Sequence, residues 1–140
     1  MKLTFHGGTG TVTGSNYLLE SGSKKILIDC GLTQGTYYAE RQNFEPFPYD
    51  PKTIDAVLVT HAHVDHIGKI PKLVKEGFRG VIYSTPPTKD FAELLLLDSE
   101  HILSEEAIRE KKSPLYVAAD IKKTMTQWQG IRYHTPFVIG

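Results

Sequence analysis

Ala56-Val57-Leu58-Val59-Thr60-His61-Ala62-His63-Val64-Asp65-His66 is the stretch that decides how this 140-residue chain is read. Its first four residues are a continuous apolar run, the pattern of a strand buried on both faces. Three histidines and an aspartate follow within six positions. In an extended segment, side chains two apart point the same way, so His61 and His63 can reach one metal ion. Asp65 and His66 fall where the chain turns into a helix, and they can project toward a second ion beside the first. Imidazole and carboxylate donors suit zinc, manganese or iron, and no thiolate is present to close a structural site. Zinc would be held at about 2.0–2.2 Å. Four such side chains would be costly to bury without a metal.

Working outward, Leu3 to His6 and Val12 to Glu20 alternate as strands around a glycine-rich turn, Gly7 to Gly10. Ser21-Gly22-Ser23 supplies a hairpin turn before the strand Lys25 to Ile28. Asp29 stands at the end of that strand, where it could orient a ligand histidine. Residues 31 to 52 contain Pro46, Pro48 and Pro51 and read as a long loop with a helical turn near Tyr38 to Gln42. Ile67, Ile70, Leu73 and Val74 recur at helical spacing up to Gly77, and Pro71 predicts a break and a second short helix. Val81 to Tyr83 is the next strand. A long helix follows Thr85-Pro86-Pro87-Thr88, with Thr88 as its expected N-cap and Phe91, Leu94, Leu95, Ile102 and Leu103 as its expected buried stripe. Asp98 falls inside that stripe, so it is either buried and hydrogen-bonded or turned to a pocket edge. A helix over Val117 to Gln127 and strands at Ile131 to His134 and Phe137 to Ile139 complete the pattern. Alternating strands and helices specify an α/β layered architecture.

The composition sets outer bounds. Hydrophobic residues make up 40% and charged residues 23%, as in a globular domain. Lys plus Arg and Asp plus Glu number 16 each, so there is no electrostatic footprint for nucleic acid or an anionic membrane. The basic doublets, such as Lys24-Lys25 and Lys122-Lys123, read as solvated faces. Cys30 is the single cysteine, which rules out an intrachain disulfide and fits a reducing, cytoplasmic setting. No apolar stretch approaches the ~18 residues of a membrane span. Gly7 to Gly10 lacks the Gly-Lys-Ser/Thr ending of a phosphate loop and is expected to let backbone approach the metal centre. His6 is a rim or a turn residue, while His101 and His134 lie outside the ligand cluster. Cys30 has no paired base and is not read as a nucleophile.

His61-Ala62-His63-Val64-Asp65-His66 resembles the HxHxDH motif of the metallo-β-lactamase superfamily. Gly10-Thr11-Val12-Thr13-Gly14-Ser15, Leu27-Ile28-Asp29-Cys30-Gly31-Leu32 with Gln34-Gly35, Ile67-Gly68-Lys69-Ile70-Pro71 and Leu97-Asp98-Ser99 are similar to its β-CASP branch of RNA-processing nucleases. The resemblance runs from about residue 3 to the C-terminus. It implies a four-layer αβ/βα sandwich of which residues 1–140 are the first αβ half. It implies two zinc ions, His61 and His63 on one, Asp65 and His66 on the other, with Asp65 also handling a proton. Asp29 and Asp98 would be supporting carboxylates, and RNA the substrate.

The family's third-motif histidine, its fourth-motif aspartate and the inserted β-CASP domain have no counterpart in this chain. The apolar terminal stretch Phe137-Val138-Ile139-Gly140 likewise suggests a fragment. Residues 1–140 are therefore expected to be an N-terminal part that lacks ligands for both ions, holds metal weakly and is inactive alone. Two other functions stay open: a hydrolase of esters, thioesters or lactams on the same fold, and a silent scaffold completed by a partner chain. A homo-oligomer also stays open.

Overall fold

Four buried side chains, Leu27, Val57, Ile82 and Trp128, lie in one row across four neighbouring strands, and Leu18 extends the row. That row organises the molecule. The computed structural model describes residues 1–139. Its sheet has six strands in sequential order: β1 (Lys2–Gly7), β2 (Asn16–Ser21), β3 (Lys24–Ile28), β4 (Ala56–Leu58), β5 (Val81–Ser84) and β6 (Trp128–Gly130). β1, β2 and β3 pair antiparallel, joined by the segment 8–15 and by a tight turn at Gly22-Ser23, whereas β3 to β6 pair in parallel. Parallel neighbours need a crossover, and helices supply it here. α1 (Tyr37–Arg41) lies in the first crossover, α2 (Val64–Ile67) and α3 (Ile70–Lys75) in the second, α4 (Pro86–Glu110) and α5 (Ala118–Thr126) in the third.

Ile67, Ile70, Leu73, Val74, Leu96 and Ile121 cover the organising row from the helices and complete the core. Burying each such side chain contributes roughly 1.5–3 kcal/mol. The adjacent row, Phe5, Tyr17, Ile28, Leu58 and Tyr83, points to the opposite face because side chains alternate along a strand. It is apolar too, yet none of its members is fully buried. Among the described residues its cover includes Phe137, whose ring lies 4.7 Å from that of Tyr83. A sheet apolar on both faces with helices on one agrees with the α/β half-sandwich expected from the sequence.

The break predicted at Pro71 is present. α2 ends at Ile67, and α3 restarts with proline in its first turn, where a missing N–H costs nothing. Four expectations need correction. The second strand begins at Asn16, not Val12, because residues 8–13 form bends, with glycines in the left-handed region at 8, 10 and 14. The long helix starts from Thr85, not Thr88: Pro86 and Pro87 occupy its first turn with φ already suited to a helix. Thr88 Oγ1 meets Thr85 Oγ1 at 2.8 Å instead of capping.

The buried stripe of α4 is Ala92, Leu96, Ser99 and Ala107, with Leu103 packed beside it, whereas Phe91, Leu94 and Ile102 are exposed. Leu94 to Leu97 put a leucine on every face, so periodicity alone could not choose the inward one. The last strand is Trp128–Gly130, fixed by pairing with Ile82 to Ser84, and neither 131–134 nor 137–139 is a strand. His134 has φ of 58° in a turn there, and Pro136 offers no N–H to a ladder.

Candidate metal centre

Asp29 follows β3 and the His61 segment follows β4, so the cluster sits at the carboxyl ends of two adjacent parallel strands. Ligands of open α/β sheets gather at such ends. Asp29 is 1% exposed and takes a left-handed φ of 60°, a conformation aspartate tolerates better than most residues. Its carboxylate is surrounded by donors. Ser15 Oγ donates at 3.0 Å, Thr60 N–H at 2.8 Å and Thr60 Oγ1 at 2.9 Å. His66 Nδ1 lies 2.7 Å away and, facing a carboxylate, must carry the proton. That fixes the tautomer of His66 and leaves its Nε2 with a free lone pair directed away from Asp29.

Thr60 extends the same control to His61. With its hydroxyl hydrogen on Asp29, Thr60 Oγ1 accepts from His61 Nδ1 at 3.0 Å, so His61 Nε2 is also left bare. Burial, reinforced by the neighbouring His66 and His63, lowers the pKa of His61 and keeps its ring neutral. His61 Nε2 then faces His63 Nδ1 at 3.2 Å, and His66 Nε2 faces Asp65 Oδ2 at 3.5 Å.

The backbone locks this arrangement in place. Cys30 N–H donates to His66 O at 2.8 Å, Leu32 N–H to Val64 O at 3.0 Å, and Ser15 N–H to Asp65 O at 2.9 Å. Gly31 lies so close beneath the turn that an added Cβ would fall 1.6 Å from the Asp65 carbonyl oxygen. Cys30 is fully buried and its thiol is pushed up to about 11 by desolvation, so little of it is the nucleophilic thiolate.

The donors fit divalent metal chemistry in pairs. Two donors on a tetrahedral zinc at about 2.1 Å stand about 3.4 Å apart. The His61–His63 separation and the Asp65–His66 separation both match that spacing. Among the described residues, however, no group of three or more histidine, cysteine, aspartate and glutamate side chains is placed to hold one ion. His61 and His66 instead lie ring to ring at 4.0 Å. The structure thus brings together His61, His63, Asp65, His66 and Asp29.

It does not bring Asp98 to them. Asp98 is exposed, turned out of the buried stripe, and borders a separate cavity of about 210 Å³ with Leu32, Asn43 and Val64. His6 packs against Tyr49 at 5.1 Å, its Nε2 buried and unpartnered. The close approach allowed by the first glycines is to the chain itself: a Cβ on Gly7 would lie 2.0 Å from the Gly14 carbonyl oxygen. His101 is exposed beside Glu105. The sequence reading missed Thr60 and the role of Ser15. Each stands next to a residue it did single out, but a lone hydroxyl carries no pattern of its own.

Comparison with known proteins agrees with the geometry. The metallo-beta-lactamase superfamily profile matches residues 9–120. The chain belongs to that superfamily. It is 38% identical over 133 residues to ribonuclease TTHA0252 of Thermus thermophilus, covering 95% of this chain and 28% of the relative. Transcription termination factor FttA of Methanosarcina mazei is 40% identical over 130 residues, covering 89% and 19%. Endoribonuclease YSH1 of Gibberella zeae is 31% identical over 137 residues, covering 96% and 16%. The chain thus spans less than a third of each of these relatives. Among solved structures, the short form of human tRNase Z matches with a TM-score of 0.43 at 19% identity, covering 84% of this chain and 43% of that one. No helix among the described residues is long and apolar enough to cross a membrane.

Proposed function

We propose that residues 1–140 are the N-terminal part of a metal-dependent β-CASP-type ribonuclease, and that they supply its first ligands. The observation that carries this reading is the Asp29–Thr60 scaffold, which turns the bare nitrogens of His61 and His66 outward beside His63 and Asp65. The ribonuclease and endoribonuclease names of relatives aligned over nearly the whole chain support RNA as the substrate.

In this reading His61 and His63 would hold one zinc ion, and Asp65 and His66 a second; manganese or iron would suit the same donors. When bound, such ions lower the pKa of a water and withdraw charge from a phosphoryl oxygen. The chain's own residues do the positioning. Asp29 and Thr60 hold two imidazoles in one tautomer, and Gly31 seats the Asp65–His66 turn against the sheet. Asp65, with its carboxylate partly open to solvent, would also accept or return a proton during hydrolysis. Asp98 would serve as a supporting carboxylate only indirectly, from the cavity it shares with Val64 of α2.

The test is metal analysis and RNA cleavage by the longer protein that carries this segment. Bound metal without RNA cleavage would overturn the reading in favour of another ester, thioester or lactam substrate. For the 140-residue chain we expect weak metal binding and no turnover, because each ligand pair lacks a third protein donor among the described residues. Phosphodiesterase turnover by that chain alone would contradict the half-site assignment. We also propose a cytoplasmic setting, which the single cysteine supports.

A further inference from the structure

His61 and His63 line an open cleft of about 390 Å³ together with the aromatic and aliphatic side chains of Phe91, Leu95 and Tyr133. Phe91 is 61% exposed and Tyr133 76% exposed, and neither belongs to the hydrophobic core. An isolated exposed apolar residue needs no explanation, but two large aromatics facing the same ligand-bearing cleft are a different matter. Phe91 is held on the second turn of the 25-residue helix α4, so its ring stands on a rigid support. Tyr133 lies in the turn after β6.

The charge around the cleft narrows what it can take. Among the described residues, no lysine or arginine lines it. The chain as a whole carries a formal net charge of +0. Phosphate attraction by basic side chains therefore contributes little at this surface, although it dominates most nucleic-acid binding. What the cleft offers is π-faces, a leucine side chain and the hydroxyls of Thr85 and Thr88. This is the chemistry of a stacking platform, where bases are held by aromatic rings with little dependence on sequence.

We propose that this cleft is a nucleobase-stacking subsite, in which Phe91 and Tyr133 hold a base of single-stranded RNA beside the phosphodiester presented to His61 and His63. The identity of the ligand rests on the ribonuclease reading; the shape and character of the cleft do not. Phe91 and Tyr133 are positioning residues in this assignment, because they touch the base and not the reacting phosphorus.

The experiment is an NMR titration of the 140-residue chain with adenosine 5′-monophosphate, with ribose 5-phosphate as the baseless control. The expected result is saturable shifts at Phe91 and Tyr133 with the nucleotide and none with the sugar phosphate. Phe91→Ala should weaken nucleotide binding about tenfold, and Phe91→Tyr should restore it. Raising the salt concentration should change the affinity little, because no counterions are released. Equal shifts from both compounds, or an unchanged Kd in Phe91→Ala, would overturn the subsite. Phe91 is exposed, so the variant keeps its fold and a negative result is informative. In the longer protein the two proposals separate. RNA cleavage with unchanged KM in Phe91→Ala removes the stacking site and leaves the ribonuclease. Nucleotide binding at Phe91 with no RNA cleavage does the reverse.

Discussion

The two sides of the candidate metal centre are built on opposite plans. Beneath His66 everything is fixed: Asp29 is buried, Ser15 and Thr60 saturate it, and Gly31 brings two backbone segments into contact. Beyond His63 little is fixed, since His63 is exposed and opens onto a cleft walled by exposed aromatics. The contrast separates two tasks. Imidazole orientation at the candidate site draws on hydrogen bonds to a carboxylate that is itself 1% exposed, where water competes poorly. Substrate contact needs accessible surface, so it is left to residues that the core does not use.

The largest effect should come from the fixed side. Gly31→Ala must displace the Asp65 carbonyl, and we expect a loss of about 4 kcal/mol or more, or failure to fold, in urea unfolding. A variant as stable as the parent would break the idea that this contact seats the ligand turn. Leu96→Ala, in the buried stripe of α4, should cost about 2–5 kcal/mol, while Leu94→Ala two residues earlier should stay within about 0.5 kcal/mol. Equal losses at the two leucines would return the helix to the orientation expected from its sequence.

Metal affinity sharpens the comparison next. Asp29→Asn should weaken zinc binding about 10- to 100-fold in a competition titration, because the amide has one acceptor oxygen and no charge where the carboxylate served both Thr60 and His66. Asp98→Asn should leave zinc binding unchanged, and an effect matching that of Asp29→Asn would place Asp98 back at the site. Thr60→Val keeps the side-chain shape but removes the hydroxyl that links Asp29 to His61. It should cost about 1–2 kcal/mol and release His61 to exchange between tautomers, visible in its imidazole nitrogen shifts. The smallest signal is chemical: Cys30, buried with its thiol pushed up to about 11, should react with a thiol reagent only after unfolding.

How much of this was legible in the sequence depended on whether a residue announced itself by pattern. The strand Ala56–Leu58 and the turn after it were readable because an apolar run followed by so dense a set of histidine and aspartate side chains is rare. The break before Pro71 was readable because proline acts locally. The inward face of α4 was not, since its run of leucines satisfies several faces equally and only the neighbouring sheet and helices select one. The last strand was misplaced for a related reason: Ile131 and Phe137 have strand character, but the ladder to Ile82 and Ser84 had already been taken by Trp128 and Gly130.

By itself the sequence determined that the chain is α/β, that His61, His63, Asp65 and His66 crowd together just after a strand, and that Asp29 ends a strand beside them. These follow from side-chain chemistry and from periodicities that act within a few residues. Only the tertiary structure decided which hydroxyls, Ser15 and Thr60, complete the support, that Asp98 stands apart, and that Phe91 and Tyr133 face the histidines. Those facts depend on residues dozens of positions apart meeting across a sheet, and packing rather than local preference sets where they meet.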